Sequence, residues 1–412
     1  MSRILLSLAA FVLTLTSAQA SVVINETNFP DENLRNYASQ YDEDGNGTLS
    51  DAELATITSI NAGGILNLKG AEHFTNLEEL LLWGYSEEES IREIDPSMFP
   101  KLYRFSLGEC NGVTALDFSR NTMFETIELS RCSNVQALSL PTSVKEIQLF
   151  GAPKLTALDV SRLPNLIGLW LQHTGITDLD FSNHPAIQLV SIQGGEDALD
   201  QMNSLNLQNC ATLENVDIRY TTIKSLSMKH LPIVRTLMML NNDITTITID
   251  DCEEFNDITC DHNVLGTLSL TNNPQLRAVN CEDNRLQVLI ADNCPVLGQV
   301  QVFNNRLMWL DLKDVVKGNV DESILKLDNQ QPTVQAVKLS PTETGLLVHE
   351  RLDVSRVLNL RAKGQTQTPK EVFVDGIRYF VFYDDGPDTP NLVGSDCGYE
   401  YATQWPYPWQ EG

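Results

Sequence analysis

Three observations predict that this chain of 412 residues is an α/β solenoid: stacked coils with a parallel β-sheet on the concave face, a helical cap at the N-terminal end and a small antiparallel β-domain at the other. Asn242, Asn263 and Asn284 recur 21 residues apart within one framework of apolar positions. An acidic loop carrying glycines, Asp42 to Glu53, stands just ahead of the region where that framework begins. The period is lost after Leu310-Asp311-Leu312, where alternating apolar runs replace it. The expected divisions are a leader over 1–20, the cap over 21–60, the repeats over 57–317 and a β-rich domain over 318–412.

The leader comes first. Met1 to Ala20 has one basic residue, Arg3, an apolar run from Ile4 to Leu15, and the ending Ser17-Ala18-Gln19-Ala20, the layout of a secretory signal cleaved after Ala20. A membrane span needs about 20 apolar residues, and this run is shorter. Ser21 rather than Cys follows the cut, so the sequence does not suggest a lipid anchor. The mature chain is expected to be exported, to the cell surface or the medium, with the periplasm as a further possibility. Its formal charge of −27 becomes one unit more negative when Arg3 leaves with the leader. Such a surface repels phosphate backbones and anionic lipid heads, which argues against nucleic acid and direct membrane insertion.

In the cap, counting from Asp42, oxygen-bearing side chains fall at the first, third, fifth, ninth and twelfth positions, and Gly47 is sixth. That is the spacing of an EF-hand calcium loop: Ca²⁺ takes six to eight oxygens, the sixth residue turns sharply, and a Glu at the twelfth closes the shell. Asp42, Asp44 and Asn46 are expected to bind through side chains, Thr48 through its carbonyl, Ser50 through water and Glu53 through both carboxylate oxygens. Pro30-Asp31-Glu32-Asn33 reads as a helix start, and Leu34, Tyr37, Ala38 and Tyr41 form an apolar stripe at helical spacing. No second loop of this kind follows, so the calcium is expected to be structural. The helix pair would then cover the exposed end of the coil stack, whose first strand is read at Ile57-Thr58-Ser59-Ile60.

The repeats themselves follow L-x-x-L-x-L-x-x-N-x-L, the leucine-rich pattern, as in Leu276/Val279/Cys281/Asn284/Leu286 and Val234/Leu237/Met239/Asn242/Ile244. Apolar residues of each short strand point inward, so stability comes from stacking coil on coil, each buried Leu, Ile or Val contributing roughly 1.5 to 3 kcal/mol. The Asn side chains are expected to form a ladder between coils at Asn242, Asn263, Asn284 and Asn305. Toward the N-terminus that slot becomes Thr174, Ala152, Cys132 and Cys110, which predicts a weaker ladder there. The register also argues against a disulfide framework. Cys260 and Cys281 occupy inward slots normally held by Leu and are read as small hydrophobes. Cys210, Cys252 and Cys294 share a slot but lie two coils apart, beyond the ~7 Å that a bridge tolerates. Cys110 and Cys132, on adjacent coils, are the one pair near enough to bridge, and strict disulfide geometry favours two thiols even there.

The order of leader, Ile24 to Tyr37 (I-N-E-T-N-F-P-D-E-N-L-R-N-Y), acidic loop, and short repeats ending L-x-x-L-D-x-S at Leu155 to Ser161 and Ile176 to Ser182 resembles secreted leucine-rich-repeat proteins of Bacteroidetes-type bacteria, broadly internalin-like in architecture. The resemblance covers about residues 21 to 317 and implies an exported recognition or adhesion protein with an EF-hand cap. It names no ligand. The coil from Ile187 to Leu207 departs from the pattern by an insertion, Gly194 to Leu199.

Strand residues between the inward ones should line the concave face. One row runs Leu81, Ser106, Glu128, Gln148, Trp170, Ser191, Asp217, Met238, Thr259, Asn280, Gln301, and the next includes Trp83, Gly108, Ser130, Phe150, Gln172, Gln193, Arg219, Leu240, Asp261, Glu282 and Phe303. Phe150 with Trp170, and Arg219 and Tyr220 with Met238 and Leu240, are the candidate contacts for an extracellular protein or glycan, since Trp, Tyr and Arg dominate binding hot spots. A decorated, solvated face is the competing reading, and so is a purely structural envelope component with no dedicated ligand. Asp257, Asp261, Glu282 and Asp283 make an acidic patch. A monomer is expected.

In the last hundred residues, Thr333 to Leu339 alternates like a strand, and Val372 to Phe382 around Asp375-Gly376 reads as a hairpin. The aromatic ending, Trp405 to Trp409, is expected to dock on that domain. No catalytic constellation can be assembled from the six histidines or from Cys397, so an enzyme is not expected.

Overall fold

A computed structural model describes residues 21–85, 90–195, 199–286, 288–291, 293–302 and 304–305, together with strands at 309–311, 325–326, 334–335, 345–349, 370–374 and 377–383. The signal-peptide reading of 1–20, the loop 86–89, Phe303, Cys397 and the ending 405–409 lie outside the described residues.

One thirteen-stranded sheet dominates. It begins with Ser59–Gly63, Glu79–Trp83, Arg104–Gly108 and Thr126–Ser130, and runs in chain order to Gln299–Gln301 and Leu325–Lys326, every neighbour parallel. The last of these strands lies beyond residue 317, so the parallel sheet outlasts the expected end of the repeats. Register settles which residues share a row. Asn61, Leu81, Ser106, Glu128, Gln148 and Trp170 are Cα partners in succession, and Ser191, Asp217, Met238, Thr259, Asn280 and Gln301 continue the line. Trp83, Gly108, Ser130, Phe150, Gln172, Gln193, Arg219 and Leu240 form the row beside it. The first row is the one the alternation predicts, and the second agrees with it as far as Leu240; Asp261 and Glu282 lie past the ends of their strands.

The chain is thus a solenoid of leucine-rich-repeat type. The back of each coil is where it differs from a simple α/β alternation. There the described residues form strands and short 3-10 turns rather than helices: two strand pairs, Ala115–Asp117 with Ala137–Ser139 and Asp178–Asp180 with Ser204–Asn206, and one five-stranded parallel sheet from Ser225–Lys229 to Trp309–Asp311. Among the described residues α-helix is confined to α1 (Glu32–Ala38) and α2 (Asp51–Thr56) at the N-terminal end. One continuous core runs from the cap along the inner side of the large sheet, from Phe29 through Leu34, Ile57 and Ile60 to Val300 and Val302.

Left-handed residues mark the turns of the coils, at two positions in the regular coils and at one in several others. Glu109, Arg131, His173, Tyr220, Asn241, His262, Asp283 and Asn304 have φ between 51° and 55°, and each immediately precedes the ladder slot. Asn183, Asn209, His230, Asp251, Asn272 and Asn293 do the same at the back. Asn, Asp and His tolerate this region better than other side chains, which explains most of the choices.

The asparagine ladder forms as expected. Asn263 accepts from the backbone N–H of Asn242 (3.2 Å) on the preceding coil, while its amide donates to the carbonyls of Met239 (2.7 Å) and Cys260 (2.9 Å). Asn242, Asn284 and Asn305 make equivalent bonds to Thr221, Leu265 and Leu286. Farther toward the N-terminus a thiol takes the slot and makes weaker bonds than an amide: the Cys132 thiol donates to the Leu107 carbonyl at 3.2 Å, and its sulfur accepts from the Cys110 backbone on the preceding coil.

The cysteine expectation is corrected at one pair. Cys260 and Cys281 are joined by a disulfide, with Cα atoms 4.7 Å apart, and are not free core residues. Matching inward slots on adjacent parallel strands sit at one strand spacing, which is within bridging distance. Cys110 and Cys132 are unbridged, and no bridge joins Cys210, Cys252 and Cys294.

Four strands near the C-terminus, Val334–Gln335, Gly345–His349, Lys370–Val374 and Ile377–Tyr383, pair antiparallel among themselves, and Val374 faces Ile377 across the Asp375-Gly376 step.

Candidate metal centre and recognition face

The acidic loop is held from both ends. Asp31 caps α1 by accepting from the Leu34 N–H (2.9 Å), and its other oxygen accepts from Leu66 (2.8 Å) and Asn67 (3.2 Å) of the first coil. Tyr37 donates its hydroxyl to the Ser59 carbonyl at 2.8 Å, and Asn33 donates to that of Gly64 at 2.7 Å. Past the loop, Ser50 and Glu53 form a capping box at the start of α2, a motif legible as Ser-x-x-Glu. Residues Thr48–Ser50 of the loop pair antiparallel with Ser21–Val23, so an N-terminal strand lies along its edge.

Within the loop, Gly45 and Gly47 have φ of 67° and 78°, which a β-carbon would penalise. Carboxylate oxygens of Asp42, Asp44 and Glu53 all lie within 4.8 Å of one another. Backbone amides already turn toward them: Gly47 donates to Asp42 (2.9 Å), Asn46 to Asp44 (3.1 Å) and Glu43 to Glu53 (2.9 Å). The Ser50 N–H and hydroxyl, both 2.8 Å from Glu53, hold its carboxyl below the ordinary value of 4.5. Glu53 therefore stays ionised to low pH. Three convergent carboxylates on a tight turn fit a hard divalent cation that prefers oxygen ligands.

On the open face of the large sheet, Phe150, Trp170, Arg219, Met238 and Leu240 are half-buried and occupy the rows expected of them. Trp170 lies across Gly168 of its own strand, where a β-carbon would collide with the indole. Arg219 is already engaged: its Nε is 2.7 Å from Asp217, and its guanidinium reaches the Met238 sulfur at 2.7 Å. Tyr220 stands at the strand end rather than within a row, with φ 54°, and its carbonyl accepts from Asp200 (2.9 Å) beside the inserted segment. Phe150 and Trp170 are thus neighbours on the sheet, whereas Tyr220 belongs to its rim.

Farther along, burial raises the carboxyls of Asp257 and Asp261 above the ordinary 3.8. Three histidines face aspartates on neighbouring coils, His230 to Asp251 (2.8 Å), His262 to Asp283 (3.5 Å) and His173 to Asp200 (3.6 Å), spread along the edges rather than gathered. Burial pushes the thiols of Cys110 to about 12 and of Cys210 and Cys252 to about 11, which leaves them unreactive.

The exposed aromatics not singled out from the sequence include Trp83, 42% exposed, and Tyr85, 65% exposed. Trp83 was in the predicted row. What the row alone did not reveal is that its register partners are Gly63 and Gly108, neither of which has a side chain to cover it.

No protein-family model matches the sequence, and comparison with curated proteins returns no match. Among solved structures, the functional domain of InlJ from Listeria monocytogenes, described as including a cysteine ladder, is 15% identical with a TM-score of 0.46, over 90% of this chain and 94% of that one. An internalin, InlF, from the same organism is 17% identical with a TM-score of 0.47, over 77% and 93%. A leucine-rich-repeat protein of Leptospira interrogans is 15% identical with a TM-score of 0.36, over 76% and 84%. The fold assignment stands on the coil geometry described above.

Proposed function

We propose that this chain is an exported recognition or adhesion protein, not an enzyme, that binds an extracellular protein or glycan on the open face of its large sheet and carries one structural Ca²⁺. The observation that carries the reading is the pair of solvent-facing rows, one continuous to Gln301 and the other to Leu240, with large side chains such as Trp83, Phe150 and Trp170 among polar ones. A rigid face of this kind offers pre-ordered contacts at little entropic cost. Neither catalytic chemistry nor nucleic acid enters the proposal: the histidines are dispersed and the formal charge is −27. A glycan and extracellular-protein array probed with residues 21–412, with and without calcium, tests it. Saturable capture that disappears when Trp170 and Tyr220 are both replaced by alanine supports the middle of the face; full affinity in that variant removes those residues from the site.

For the metal, Asp42, Asp44 and Asn46 would supply side-chain oxygens, Thr48 its carbonyl, Ser50 a water-mediated contact and Glu53 both carboxylate oxygens. Calcium there would neutralise three crowded carboxylates and fix α1 and α2 over the first coil. Chelation is expected to lower the melting temperature, because a ligand at 100 times its Kd stabilises by about 2.7 kcal/mol. An unchanged melting curve in verified metal-free protein would overturn the structural role.

A further inference from the structure

We propose that a neutral oligosaccharide binds on Trp83, in a shallow depression of about 250 Å³ on the first four strands of the large sheet. The inference rests on the recognition reading and assigns that face a ligand class and a second position, away from Trp170.

Three features single out this place. First, the indole of Trp83 lies against Gly63 on the adjacent strand, in space that a β-carbon there would occupy, and Gly108 flanks its other side. The ring is therefore laid on the sheet and supported from beneath, with its outer surface open. Tyr85, two residues on, lies over Gly64 in the same way, beside Asn33 of α1. Second, the lining around the indole is a mixture of planar and hydroxyl hydrogen-bonding groups, Asn61, Arg104, Ser106, Glu128 and Ser130, with Leu81 and Leu82 as its aliphatic members. A protein hot spot calls for an apolar pocket sealed from water, whereas this one is open and polar around a flat ring. Third, the surface charge repels acidic sugars and phosphorylated ligands.

A pyranose meets these conditions. Its axial C–H bonds carry partial positive charge and sit favourably on the negative face of an aromatic ring. Its hydroxyls, paired around the edge, match carboxylate, amide and guanidinium groups that can exchange two hydrogen bonds at once. Trp83 is the platform, and Glu128, Asn61 and Arg104 are the groups placed to read the hydroxyl pattern.

The test is titration of the whole mature chain with cellohexaose, xylohexaose, mannohexaose and maltohexaose, following tryptophan fluorescence and heat. At least one is expected to bind saturably. Trp83→Ala should weaken it about tenfold or more and Trp83→Phe by less, whereas Met123→Ala, at an exposed residue outside the depression, should leave it unchanged. Gly63→Val, which displaces the indole without removing it, should weaken binding as Trp83→Ala does. Failure of all four sugars to bind, or equal affinity in Trp83→Ala, overturns the proposal. If Trp83→Ala instead abolishes capture of an arrayed protein while no sugar binds, the recognition reading stands and the glycan assignment falls.

Discussion

From Thr221 onward the inward strand residues Val216, Leu237, Ile258, Val279 and Val300 follow one another at 21-residue intervals, and each coil ends on an asparagine bonded to the coil before it. Ahead of it the matching residues are Ile60, Leu80, Phe105, Ile127, Ile147, Leu169 and Val190, and the coils vary in length. Equal coils bring the backs into register, which is why five back strands form one sheet in the C-terminal half and only isolated pairs form earlier. The N-terminal half compensates with aromatic volume: Phe118 stacks on Phe124 with centroids 4.2 Å apart and meets Phe105 edge-on at 5.0 Å. It also tolerates a loose end, since the Oδ1 of buried Asn121 has no partner although its amide serves the Pro96 and Phe99 carbonyls. Two halves of one solenoid are thus held by different physics, directional bonds in one and shape filling in the other.

That contrast can be broken by substitution. The largest effect is expected from Phe118→Ala, about 3 to 5 kcal/mol by urea denaturation, because it removes the centre of the ring stack; a loss under 1 kcal/mol would mean that the N-terminal coils do not depend on it. Replacing Cys260 and Cys281 together by alanine should cost about 3 kcal/mol, the loop-closure value for a span of this size. Reductant added to the native protein should leave that bond intact, as both sulfurs are fully buried. Asn263→Ala should cost about 2 to 3 kcal/mol, since it strands buried amides and carbonyls on two coils, whereas Cys132→Ala should cost about 1 kcal/mol or less. Equal losses at these two positions would erase the distinction between the halves. Smallest is an acid effect at the cap. The folded Glu53 carboxyl titrates below its ordinary 4.5, so its contribution is complete above that pH and is lost as the pH falls through the lowered value. In calcium-free buffer Glu53→Gln should flatten the fall in melting temperature below pH 4.5.

Much of this was legible because two periods are rigid. A strand alternates every second residue and the coil recurs every 21, so both rows of the open face follow from counting, as do the ladder at Asn242, Asn263, Asn284 and Asn305 and its thinning at Cys132 and Cys110. The back sheet was visible too, in Thr246-Ile247-Thr248-Ile249 and Thr267-Leu268-Ser269-Leu270, but its alternation was absorbed into the inward count. The disulfide was missed although Cys260 and Cys281 share a slot on adjacent coils, because an inward slot was equated with apolar packing and the one-strand spacing between them was not used. Left-handed turns left a signal in the recurring Asn, Asp and His before each ladder residue. Exposure was the least legible property. Whether Trp83 or Trp170 is the more open depends on which neighbours lack side chains, and that is a matter of register between coils rather than of either residue.

Hydrogen bonds between parallel strands run along the length of the stack, so tension applied end to end loads them in series and peels coils away singly. Each coil lost from the regular half would pay out 21 residues, roughly 70 Å of extended chain, in a sawtooth of even steps. The covalent link between Cys260 and Cys281 interrupts that sequence, for the loop it closes cannot lengthen. A force–extension trace of the oxidised chain should therefore miss one tooth that reappears in the Cys260→Ala, Cys281→Ala variant, which makes the buried link a stop against tearing.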